Sequence, residues 1–82
     1  MSGFEITCIN KNARRMVVRI GGDGWSLSTH EAIVKLSSSQ IRLNIRVNGE
    51  IVQVGIRGEG SDAYLVLEPD GFALHNLEFP SC

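Results

Sequence analysis

The chain is short of most things that specialised chemistry requires. Cys8 and Cys82 are its only thiols, too few for a disulfide-dense secreted scaffold. No apolar run approaches the ~18 residues that span a bilayer. It lacks an excess of either charge: eight Lys and Arg face nine Asp and Glu, for a formal net charge of -1. That balance removes any global attraction to nucleic acid or anionic membrane. The opening MSGFEITCINK has no basic stretch followed by an apolar one. Gly stands at position 3, so the myristoylation pattern is absent. A cytoplasmic address is expected, and in a reducing compartment two free thiols are expected with it.

What is present is ordinary globular material. At 82 residues, 43% hydrophobic and 21% charged, the chain is one domain over 1–82. A domain of this size buries roughly 60–65% of its unfolded surface, enough for a modest core. The charge is unevenly spread. Residues 1–57 hold all eight Lys and Arg against four acids, and residues 58–82 hold five acids and no Lys or Arg. Either these segments interleave on the folded surface and cancel, or the molecule has a basic face and an acidic one.

The periodicity reads as strands around one helix. Phe4, Ile6 and Cys8 alternate with Glu5 and Thr7, and after a turn at Asn10–Ala13 Met16, Val18 and Ile20 alternate with Arg15, Val17 and Arg19. These two strands are expected to pair as a hairpin. Gly21-Gly22-Asp23-Gly24 reads as a loop before Trp25. Ser28 and Glu31 form a capping box that starts a helix over 29–38, with Thr29, Ala32, Ile33 and Leu36 on one face. Ile41–Val47 and Ile51–Ile56 flank Asn48-Gly49, the preferred type I′ hairpin turn. That turn pairs Ile45 with Val52, Leu43 with Val54 and Ile41 with Ile56. A strand at Ala63–Leu67, a turn at Glu68–Gly71 and an apolar tail follow.

The order β-β-α-β-β-β predicts an α+β fold, an antiparallel sheet of four to six strands with one helix packed on it. The expected core is Phe4, Ile6, Cys8, Met16, Val18, Ile20, Ile33, Leu36, Leu43, Ile45, Val52, Val54, Leu65 and Leu67.

Several segments, in order, resemble a group of short bacterial and phage proteins classed as a domain of unknown function. They are ITCINK (6–11), RIGGDGW (19–25), LSTHEAIVKL (27–36), VQVGI (52–56), AYLVLEPDG (63–71) and NLEFPSC (76–82). The resemblance implies a small β-rich domain and carries no assigned activity or site residue.

Site chemistry is thin. Cys8, His30, His75 and Cys82 make a Cys₂His₂ inventory, but without the close pairs of a structural zinc site. The glycines before the helix match neither dinucleotide nor P-loop signatures. No nucleophile elbow G-x-S-x-G occurs. The expectation is therefore no enzyme, no cofactor and no metal. Two binding readings remain. Trp25, of a type that dominates interface hot spots, points to a protein partner or self-association, unless it is a core plug. Arg15 and Arg19 on one strand, with Arg42 and Arg46 on another, would make a phosphate-binding face if they coincide. Single-strand binders also need stacking aromatics, which those strands lack.

Overall fold

The computed structural model describes residues 2–68 and 70–82. The α+β class holds, with a single α-helix and eight strands among the described residues. The strands form two sheets where one was expected. In the larger, β1 (Ser2–Ile6), β5 (Ile41–Val47), β6 (Glu50–Arg57), β7 (Tyr64–Leu67) and β8 (Phe72–Ala73) lie in that order. In the smaller, β2 (Cys8–Lys11), β3 (Val17–Gly22) and β4 (Trp25–Ser28) lie in order.

The expected first strand is two strands. It breaks at Thr7, so β1 runs parallel to β5 and β2 pairs antiparallel with β3. Ile6 and Ile9 are both buried, which fits a change of sheet better than continuous alternation. One expected strand thus joins the two sheets.

Helix α1 (Thr29–Ser37) starts at the expected capping box, with both reciprocal hydrogen bonds formed between Ser28 and Glu31. The Thr29 hydroxyl donates to the Val17 carbonyl at 2.9 Å, tying the helix start to β3. Ala32 is fully buried, and Ile33 and Leu36 pack against the core. The β5–β6 hairpin turns at Asn48-Gly49 with φ of 52° and 84°, as a type I′ turn requires. Ile45 opposes Val52 as expected. This antiparallel ladder covers Asn44–Val47 and Glu50–Gln53, so the further pairs Leu43–Val54 and Ile41–Ile56 are not part of it. From Val54 onward β6 pairs with β7. The expected turn at Glu68–Gly71 includes Pro69, outside the described residues. Beside it the Gly71 amide donates to the Leu67 carbonyl at 2.7 Å.

Two core assignments change. Met16 and Val18 are 39% and 44% exposed. The ladder pairs Asn10 with Arg19 and then Lys11 with Val17, so Val18 is the extra residue of a β-bulge. The bulge resets the alternation, and Val17 packs against the core in place of its neighbours. Ile9, Ala32, Val66 and Leu74 join the buried set.

The thiol expectation is overturned: Cys8 and Cys82 form a disulfide. The final residues run beside β2, where the Ile9 amide donates to the Pro80 carbonyl at 2.9 Å and the Cys82 amide to Asn10 Oδ1 at 2.8 Å. The expectation of free thiols rests on a reducing compartment, not on the distance between the two cysteines along the chain. A cross-link closing 74 residues restricts the unfolded chain by about 4 kcal/mol in the chain-entropy account. Such bonds persist outside reducing compartments, so the thiols give a cytoplasmic address no support. No helix among the described residues is long and apolar enough to cross a membrane.

Candidate functional site

The five residues expected at a binding site do not share one element. Trp25 opens β4, after a two-residue turn at Asp23-Gly24 in which Gly24 takes φ +78°. The expected glycine loop is shorter than the sequence suggested, because Gly21 and Gly22 belong to β3. Gly22 is the cross-strand partner of Trp25. A Cβ there would collide with the indole and with the Glu5 carbonyl oxygen. The ring therefore lies over the bare backbone of Gly22, a position no side chain would leave open.

Trp25 is half-buried, with Phe4 of β1 against it at 5.4 Å between ring centroids and tilted by 58°. This tilt is one of the preferred aromatic arrangements. Both rings come from edge strands, β1 of the larger sheet and β4 of the smaller. Clefts open on either side of the pair. One, of about 330 Å³, is lined by Phe4, Glu5, Thr7, Asp23 and Trp25. The other, of about 160 Å³, is mostly apolar and is lined by Phe4, Trp25, Ser26, Leu27, Lys35 and Ile41. Phe4 as the partner of Trp25 was not legible in the sequence, since the two are brought together only by sheet-to-sheet packing.

The arginines sit on different elements. Arg15 is not on a strand: it sits in the β2–β3 turn with φ 65°. That turn is built by Asn12, whose Oδ1 accepts from the amides of Arg14 and Met16. Arg19 lies on β3 and its Nη1 donates to Ser26 Oγ at 2.7 Å. Arg42 and Arg46 lie on β5 in the other sheet. Arg46 Nε is 3.7 Å from Glu5 Oε2. Two of the four arginines thus have partners, and the four are divided among a turn and two sheets.

Among the described residues one ion pair joins the acidic C-terminal segment to the basic part. Arg57 on β6 grips Glu68 with Nη1 to Oε1 at 2.8 Å, and Gly55 leaves the space into which the Glu68 side chain folds.

A hollow of about 700 Å³ lies elsewhere, between α1 and the segment from Ile56 to Ala63. His30, Ile33, Val34, Ser37 and Ser61 stand in its walls, without Phe, Tyr or Trp. Size alone does not make it the stronger candidate, since no large aromatic side chain is there to anchor a partner.

Titratable chemistry is sparse throughout. Among the described residues no polar or charged side chain is buried, and no three His, Cys, Asp or Glu side chains gather as a metal would need. Glu31 has a shifted ionisation. Its carboxyl is held below its ordinary range by the Ser28 backbone amide, then by the Ser28 hydroxyl, with help from Arg19 and Lys35. That shift belongs to a helix cap. No family model, no curated protein and no solved structure matches this chain.

Proposed function

We propose that this domain is a non-catalytic interaction module that binds a protein partner at the Phe4–Trp25 ridge. The observation that carries the reading is the half-buried aromatic pair with a cleft on each side, where two edge strands meet. Tryptophan in such a setting supplies large contact area at little conformational cost. The smaller cleft suits an apolar side chain of the partner. A nucleic-acid role for Arg15, Arg19, Arg42 and Arg46 has less support, because Arg19 is engaged by Ser26 and Arg46 by Glu5.

The test is affinity capture on the tagged domain, with and without nuclease, comparing wild type with Ser26→Arg. That substitution puts a long cation at an exposed position on the rim of the smaller cleft, in place of the Ser26 hydroxyl that accepts from Arg19. The reading expects a partner that survives nuclease and moderate salt on the wild type and is lost on Ser26→Arg with the fold unchanged by circular dichroism. A partner that leaves with nuclease, or whose affinity falls by orders of magnitude between about 50 and 200 mM salt, would favour nucleic acid instead. A partner indifferent to Ser26→Arg would place binding elsewhere.

A further inference from the structure

The outer edge of β2 is occupied, but not by a strand. β2 pairs with β3 on one side only. Its other side meets residues 77–82, which have no helix or strand structure of their own. Three hydrogen bonds hold this segment along the edge: Ile9 amide to Pro80 carbonyl, Cys82 amide to Asn10 Oδ1, and Lys11 Nζ to Leu77 carbonyl at 2.8 Å. Leu77 and Phe79 are partly buried against the core. Cys82 itself is exposed, and its sulfur is fastened to Cys8 on β2.

We propose that residues 77–82 are a strap occupying a strand-docking edge, and that the Cys8–Cys82 disulfide is the redox latch on it. An open sheet edge offers unpaired backbone groups to an extended segment, and alternate side chains then find pockets. The strap already uses that mode, with a backbone bond at Ile9 and apolar side chains at Leu77 and Phe79. Its own chemistry defines the ligand that replaces it: an extended peptide with apolar residues two apart, as in Leu77-Glu78-Phe79. Opening the latch needs a dithiol. Its thiolate attacks the sulfur of Cys82, an exposed residue, the Cys8–Cys82 S–S bond breaks, and Cys8 leaves as a thiolate that takes up a proton. The second thiol of the reductant then displaces Cys82, so that the dithiol ends as a disulfide and both cysteines as thiols. Gly21 makes room for the latch, because its missing side chain leaves space for both sulfurs beside β3. This edge is separate from the Phe4–Trp25 ridge and does not depend on its role.

Hydrogen exchange on the full chain, oxidised and then reduced with a dithiol, tests the latch. The Ile9 amide should lose on the order of 100-fold in protection on reduction while core amides such as those of Ala32 and Val66 keep theirs, the mark of local opening. A peptide of residues 75–82 with Cys82→Ser, added to the reduced chain, should restore Ile9 protection in proportion to its concentration. Unchanged Ile9 protection after reduction would show that the strap needs no latch and overturn the proposal. Loss of core protection together with Ile9 would make the disulfide a structural staple and overturn it equally. An open Ile9 that the peptide fails to protect would remove the docking site.

Discussion

Cys8 and Gly21 face each other across the β2–β3 ladder, and the side chain Gly21 lacks is the space the Cys8–Cys82 disulfide fills. A Cβ on Gly21 would stand 3.0 Å from the Cys8 sulfur and 3.2 Å from that of Cys82. The backbone φ of Gly21 is not in the left-handed region, so space alone requires glycine here. Gly21→Ala is expected to destabilise the oxidised chain by about 1–3 kcal/mol, the usual range for overpacking. Denaturant unfolding measures this, and the same change in a Cys82→Ser background should cost less, because one sulfur is gone.

Gly22 makes the parallel case one residue on. Its bare backbone is the platform for the Trp25 indole, and a Cβ would strike both the ring and the Glu5 carbonyl. Gly22→Ala should therefore lift the indole away from Phe4 and shift Trp25 fluorescence to the red. An unshifted spectrum would mean that the ring has another seat.

The bulge at Val18 makes neighbouring valines unequal. Val18 is 44% exposed, whereas Val17 packs on the core. Val18→Ser should change stability by no more than about 0.5 kcal/mol, as surface changes do. Val17→Ser should cost about 1–2 kcal/mol through lost burial and a hydroxyl set against the core. Equal costs in thermal or denaturant unfolding would contradict the bulged register.

The helix cap predicts a pH dependence. The Glu31 carboxyl is depressed below its ordinary value of 4.5 by the Ser28 amide first. A group with a lowered folded-state pKa binds protons more readily in the unfolded chain. Its contribution is therefore complete above 4.5 and is lost as pH falls through the lower folded value. Wild type should lose stability with acid more steeply than Glu31→Gln in that window, and the two should run parallel above it. Unfolding midpoints compared across pH would show the difference.

Local chemistry was legible where a few adjacent residues suffice. The Ser28/Glu31 capping box, the helix it opens and the Asn48-Gly49 turn each depend on backbone preferences within four or five positions. The Ile45–Val52 pairing followed from that turn. The reading of Met16 and Val18 as core failed because a bulge adds one residue to one strand without changing the hydrophobic pattern that betrays it. Trp25 was recognisable as a residue type worth attention, but neither its Phe4 partner nor its Gly22 seat was.

The sequence by itself determined the α+β class, the single capped helix and the β5–β6 hairpin turn, because these rest on short-range hydrogen bonds and side-chain periodicity. Tertiary structure alone decided the rest. It broke the first strand at Thr7 into two sheets, laid β1 parallel to β5, divided the four arginines among a turn and two sheets, and carried Cys82 across 74 positions to Cys8. Those outcomes depend on which faces bury one another, and partners so distant along the chain leave no periodic mark on it.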